Sequence, residues 1–201
     1  MIILDYSMII DPWLKGLRIS AVRFSGIKAG DKVLDVCCGT GEQVFYYARE
    51  GGAAYGIDLD PHMIKIAERN KKKSGLTNVS FQIADARDLP FKDDFFDCVS
   101  VSLGLHEKER KARDKIISEM RRVAKKGGSL IFIDFRVPPV KKLYFYLIKT
   151  IEYLAGKNHY EYFKDYLEQG GLSRILDKNQ LALKKREYIK NGVLEMIKSI
   201  K

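Results

Sequence analysis

An α/β fold built on a doubly wound, mostly parallel sheet is what this sequence predicts. Three observations carry that reading. Apolar strand-like runs alternate with helical runs from residue 32 to residue 135, the pattern of parallel strands joined by crossover helices. The first run, Val33-Leu34-Asp35-Val36, breaks into Gly39-Thr40-Gly41 and then into a helical stretch from Glu42. That sequence reads as a buried strand, a tight turn and a helix N-terminus. Small or acidic residues then recur where the strands stop, at Gly39, Asp58, Asp85, Ser102 and Asp134. Right-handed crossovers bring all of these ends to one edge of the sheet, where such folds bind ligands.

The elements follow in order. Asp11-Pro12 reads as an N-cap with proline at the first helical position, starting a helix over 12–25. A strand over 32–37 and a helix over 42–50 come next, the helix stopped by Gly51-Gly52. A strand over 53–57 ends at Asp58, and Asp60-Pro61 opens a helix that stops at Gly75. Strands over 78–83 and 95–101 flank the loop Leu89-Pro90-Phe91. The charged helix over 107–125 carries Ile116, Ile117, Met120 and Val123 at helical spacing, and Gly127-Gly128 turns it into a strand over 129–135. After Pro138-Pro139 the pattern becomes aromatic and helical, over 141–155, 158–169 and 172–177. The last two strands, 181–189 and 193–200, flank Asn191-Gly192, a strong hairpin signal. One domain is expected, with an N-terminal helical segment (1–30), a cofactor-binding core (31–137), a helical cap (138–178) and a C-terminal hairpin (179–201).

Composition narrows the classes. A hydrophobic fraction of 46% beside 31% charged residues is that of a globular chain with a full core. The apolar start, residues 1–4, is interrupted by Asp5 and lacks a basic leader, so no signal peptide is expected. No apolar run reaches the length of a membrane span. The three cysteines, Cys37, Cys38 and Cys98, show neither disulfide nor metal spacing. They fit a reducing compartment, so a cytoplasmic location is expected and no metal. The formal charge of +10 is weighted towards the last third of the chain. Such a balance suits a lysine-rich solvated surface, and leaves nucleic acid or a peripheral contact with anionic lipid as alternatives. Oligomeric state is not legible.

The glycine turn carries the chemistry. Glycine has no Cβ, so a ligand can lie against bare backbone there. The dinucleotide fingerprint needs a third glycine where Val44 stands, and no Lys-Ser/Thr pair follows to make a P-loop. Asp35, inside the strand, favours a cationic ligand group over pyrophosphate. S-adenosylmethionine, with an amino group and a sulfonium, fits that charge logic.

Four segments match one family. They are Val33-Leu34-Asp35-Val36-Cys37-Cys38-Gly39-Thr40-Gly41, Tyr55-Gly56-Ile57-Asp58-Leu59-Asp60-Pro61-His62-Met63, Ala84-Asp85-Ala86-Arg87-Asp88-Leu89-Pro90-Phe91, and the run over 95–105. In these the chain resembles class I S-adenosylmethionine-dependent methyltransferases, especially the group similar to ubiquinone/menaquinone biosynthesis methyltransferases. The resemblance covers about half of the chain in the correct order. It implies a Rossmann-like, seven-stranded sheet of order 3-2-1-4-5-7-6. It departs at Cys37-Cys38, where small or acidic residues are usual, and at His106-Glu107, where the quinone group has an Arg-Asn pair.

The expected cofactor site then takes shape. Gly39, Thr40 and Gly41, with Cys37 in the same loop, admit the methionine end, and Asp35 orients the loop and the cofactor amino group. Asp58, ending the second strand, accepts the ribose hydroxyls, as the equivalent acid does in dinucleotide folds. Leu59 and Met63 flank the adenine. Asp85 accepts its amino hydrogen while the Ala86 N–H faces a ring nitrogen. Ser102 and Leu103 line the crevice near the sulfonium.

His106 is the residue placed for proton chemistry near the methyl, as a general base. The reaction expected is in-line methyl displacement to a small, apolar or aromatic acceptor under the cap, where His159, Tyr160, Tyr162, Phe163 and Tyr166 gather. The alternatives are an RNA or DNA methyltransferase, a non-catalytic cofactor-binding module and a nicotinamide oxidoreductase.

Overall fold

The computed structural model describes residues 6–139 and 142–201. Residues 1–5, 140 and 141 lie outside the described residues, as does the side chain of Tyr144. Strands β1 (Lys32–Val36), β2 (Ala53–Asp58), β3 (Val79–Ile83), β4 (Phe96–Ser102), β5 (Ala124–Phe135), β6 (Leu183–Ile189) and β7 (Leu194–Ile200) form one sheet. Its order is β3-β2-β1-β4-β5-β7-β6, with β7 antiparallel to both neighbours and the remaining pairs parallel.

Helices α1 (Tyr6–Ser25), α2 (Glu42–Arg49), α3 (Pro61–Ser74) and α4 (Arg110–Val123) cover the two faces. Where a cap is expected, three helices follow β5, α5 (Lys142–Ala155), α6 (Lys157–Glu168) and α7 (Gly171–Lys178), and α6 and α7 pack on the sheet. Helix α1 begins before Asp11-Pro12, so that pair sits within the helix and not at its start. A proline there forfeits a backbone hydrogen bond, so the helix is held by packing further along, where Leu17, Ala21 and Phe24 are buried. Helix α4 is shorter than the charged run suggests. Residues 105–108 form a turn, Glu109 is the N-cap, and Ala124 already lies in β5, whose first residues bulge around Gly127 at φ +76°.

Alternation along the strands splits the core in two. Leu34, Val36, Val99, Val101, Leu130 and Phe132 face α4, α6 and α7. Val33, Cys98, Ile131 and Ile133 face α1 and α2. Strands buried on both faces read as continuous apolar runs, as these do. The hairpin between β6 and β7 turns through Lys190, Asn191 and Gly192, all at positive φ, which explains Asn-Gly there.

One buried cation joins cap to core. Arg113 of α4 is fully buried and donates to the Leu105 carbonyl (3.0 Å), the Tyr162 carbonyl (2.8 Å) and the Asp165 carboxylate (2.9 Å). Replacing Arg113 with Met removes three charge-assisted hydrogen bonds, leaving the Leu105 carbonyl with the Lys108 N–H and Asp165 with Arg110 and Gln169. The expected cost is about 2–4 kcal/mol, read as a lower urea midpoint at unchanged slope. A loss under about 0.5 kcal/mol, within the range of ordinary surface substitutions, would show that water takes over the guanidinium's role.

Candidate active site

A cleft of about 670 Å³ opens at the carboxyl ends of β1, β2 and β4, the edge where parallel sheets bind ligands. The size suits a ligand of nucleoside dimensions. Of the residues expected there, Cys37, Gly39, Asp58, Leu59, Met63, Asp85, Ala86 and Leu103 line it. Asp35, Thr40, Gly41 and Ser102 lie off its walls, and so does His106.

The glycine turn divides its work between two residues. Gly39 adopts φ +53°, and a Cβ built there meets nothing within 4 Å, so its backbone is open on that side. Gly41 adopts φ +81°, and a Cβ there would stand 2.4 Å from the Phe81 ring. Gly41 is therefore glycine because β3 packs over it, while Gly39 leaves room for a ligand.

Two carboxylates brace this turn. Asp58 accepts the Gly39 N–H through Oδ2 (2.8 Å) and the Asp60 N–H through Oδ1 (3.0 Å). Asp60 in turn caps α3 by accepting the His62 N–H at 2.8 Å. Asp35 projects to the α1–α2 side of the sheet and is buried, accepting the Ser100 hydroxyl at 2.6 Å across β1 and β4. Burial raises its carboxyl to about 7, against the Ser100 hydrogen bond and the charge of Arg18. Asp35 thus supports the turn from below.

The far side of the cleft carries the remaining expected residues. Leu59 is exposed and Met63 half-buried, at the start of α3. Asp85 receives the Arg87 guanidinium at 2.7 Å and its backbone N–H at 2.8 Å, contacts that hold the carboxyl below its ordinary range. Cys37 and Leu103 are non-glycine residues at φ +56° and +54°, the left-handed region that L side chains rarely adopt. Burial pushes the Cys37 thiol up to about 12, so it is a wall and not a nucleophile.

His106 is buried behind the cleft. Its Nδ1 lies 2.7 Å from Asp134 Oδ1, and its Nε2 lies 3.5 Å from Glu152 Oε1 on α5. Asp134 also accepts the backbone N–H groups of Leu105, His106 and Phe135. Burial favours the neutral ring, but Asp134 and Glu152 outweigh it and raise His106 to about 10. At neutral pH this imidazolium offers no lone pair.

Sequence reasoning missed several wall residues. Arg87, Glu107, Lys108, Ala112 and Ile116 also line the cleft. Glu107 and Lys108 pair at 2.7 Å. Their position after the β4 strand end was the available signal. Tyr162 arrives from α6, and of the five aromatic-cluster residues expected over the acceptor it is the one that lines the cleft.

Two outcomes test this division. Gly39→Ala is expected to cost about 1–2 kcal/mol in backbone strain and to weaken S-adenosylhomocysteine binding about tenfold or more, by calorimetry. Gly41→Ala adds an overpacking cost of about 1–3 kcal/mol, so its melting temperature drops further. Equal effects of the two variants on both readouts would contradict the assignment. The pH dependence follows from His106, ordinarily near 6.5 and about 10 when folded. Its stabilisation is complete below pH ~6.5 and is lost as pH rises through ~10. Between pH 7 and 10 the melting temperature should fall, and His106→Gln should flatten that limb. A wild-type midpoint rising across this window would refute the charge state.

The residues present fit S-adenosylmethionine. Open backbone at Gly39, the Asp58 carboxylate beside it and the acid-bearing wall at Asp85 match an adenosyl group with cationic substituents. A methyltransferase domain family matches residues 27–180. The demethylmenaquinone methyltransferase of Bacillus subtilis is 32% identical over 160 residues, covering 76% of this chain and 67% of that protein. The ubiquinone/menaquinone biosynthesis C-methyltransferase of Pectobacterium carotovorum is 36% identical over 126 residues, covering 61% of this chain and 49% of that protein. The chain thus spans between about half and two thirds of these relatives' length. A SAM-dependent methyltransferase from Methanosarcina mazei superposes with a TM-score of 0.68 at 23% identity, over 90% of this chain and 96% of that one. Phosphoethanolamine N-methyltransferase 2 of Haemonchus contortus, in complex with S-adenosylmethionine, gives a TM-score of 0.71 at 18% identity, over 93% and 52%. The chain belongs to the methyltransferase domain family.

Proposed function

We propose that the protein methylates a small apolar or aromatic acceptor of the quinol type, seated where the cap meets the cleft. The observation that carries this is the cleft wall itself. Leu103, Ala112, Ile116 and Tyr162 add apolar and aromatic surface to a wall that also carries the carboxylates of Asp58 and Asp85. The two quinone-pathway relatives support the same acceptor class.

Bound S-adenosylmethionine supplies an electrophilic methyl on a sulfonium, whose leaving group is a neutral thioether. Asp58 keeps lone pairs for the ribose hydroxyls while bracing Gly39. Asp85 and Ala86 present an acceptor and a donor to the adenine edge, with Leu59 and Met63 beside the ring. Cys37, Gly39 and Leu103 shape the methionine end, and Thr40, Gly41 and Ser102 hold its supporting turns. Asp35 keeps that turn in place through Ser100. Catalysis rests on alignment and on excluding water. A quinol hydroxyl is phenolic, with a pKa of about 10, so with no side chain assigned as base its proton goes to solvent and transfer should rise with pH as the quinolate forms. His106 is assigned a fixed charge in place of the general-base role that the sequence suggests.

Methyl-labelled cofactor incubated with a reduced demethylmenaquinone analogue should label the analogue, with transfer RNA as the competing substrate. Asp58→Asn should weaken cofactor binding about tenfold or more by calorimetry. Labelled RNA with an unlabelled quinol would overturn the acceptor class.

A further inference from the structure

The described side chains of helix α5 include a buried acid and several exposed large apolar groups. Among its described side chains, Glu152 is buried at 6% exposure, while Tyr146, Tyr153 and Leu154 are 64%, 68% and 77% exposed. Ile148 packs on the core. A buried carboxylate is costly unless it meets a charge or a donor. Glu152 meets two rings. Its Oε1 lies 3.5 Å from His106 Nε2, and its Oε2 lies 3.7 Å from His159 Nδ1 of α6.

The other side of His106 is anchored in the core. Asp134, ending β5, holds Nδ1 at 2.7 Å. A neutral imidazole has one N–H, and here a carboxylate stands at each nitrogen. The imidazolium donates to both at once. Aromatic edges of Phe135, Phe163 and Tyr166 enclose the ring.

We propose that Glu152 is a positioning residue for methyl transfer, its carboxylate seating α5 on protonated His106 so that the α5–α6 pair holds Tyr162 against the cleft. The contacts run unbroken from core to cap. Asp134 belongs to β5, His106 to the loop after β4, Glu152 to α5, and His159 and Tyr162 to α6, with His159 3.8 Å from the cleft residue Glu107. Arg113 grips the Tyr162 carbonyl from α4. The remaining charges around the group are Arg113 and Glu195 beside Asp134, with Arg136 and Arg186 beside Glu195, and Lys108 paired to Glu107. The bond network that fixes the cap is therefore ionic where the outward face of α5 is apolar.

Nitrogen-15 histidine NMR on the intact chain, which has three histidines, reads the clamp directly. One imidazole should remain doubly protonated at pH 8, and Glu152→Gln should lower its titration by about one pH unit or more. Hydrogen exchange, corrected for intrinsic rates, should show α5 and α6 losing about tenfold protection in that variant while α2 and α3 keep theirs. A neutral His106 in the wild type at pH 7, or unchanged exchange in the variant, would overturn the proposal. Should the Gln variant fail to fold, the wild-type titration and Glu152→Ala decide the same question. The kinetic arm rests on the quinol reading: Glu152→Gln should raise KM for the reduced demethylmenaquinone analogue and leave the cofactor Kd unchanged. A raised cofactor Kd with an unmoved KM would count against the clamp. Wild-type protein that never methylates the analogue removes the quinol reading alone, and the NMR and exchange results then decide the clamp.

Discussion

The carboxylate of Asp58 joins the ends of two neighbouring parallel strands. By taking the Gly39 N–H at 2.8 Å and the Asp60 N–H at 3.0 Å, it satisfies donors that a sheet edge leaves without partners. It also sets the turn after β1 at a definite height above the turn after β2. Asp35 and Ser100 make the matching cross-tie one strand over, between β1 and β4. The cleft lies over these two ties. Were either strand end to drift, Gly39 would no longer face open space, and the start of α2 would lose its packing beneath Phe81.

A second layer of charge fastens the cap. Arg113 reaches α6 through one carbonyl and one carboxylate, and His106 reaches α5 through Glu152. Buried ions are expensive, and their pairing roughly offsets that expense without adding much stability. What they add is direction. Apolar surfaces slide past one another, whereas a guanidinium fork or an imidazolium between two carboxylates admits one register. Helix α5, with tyrosines and leucine in solvent and an acid inside, depends on that kind of fastening.

The wall of the cleft is more acidic than the molecule as a whole. A chain of formal charge +10 presents Asp58, Asp85, Glu107 and Glu109 to the cavity, with Arg87 and Lys108 tied to two of them. Such a local reversal suits a cofactor carrying positive charge, because fields inside a cleft are set by its lining more than by the net charge.

Most of the sheet was legible because its signals are local. Alternating runs, glycine stops and the Asn191-Gly192 turn mark the elements, and strand order follows from the family pattern. The helix expected from residue 12 starts earlier because packing lets α1 run through the Asp11-Pro12 signal, and the one expected from 107 starts at Arg110 because a turn precedes it. The same divide holds for the site. Gly39, Asp58 and Asp85 stand at strand ends that the chain itself announces. The sequence alone determined the sheet, its ligand edge and the carboxylates along it, since each depends on short-range periodicity and turn chemistry. Only the tertiary structure decided that Gly41 serves packing, that His106 is an enclosed cation and that Tyr162 reaches the cleft, because those depend on which distant side chains burial forces together.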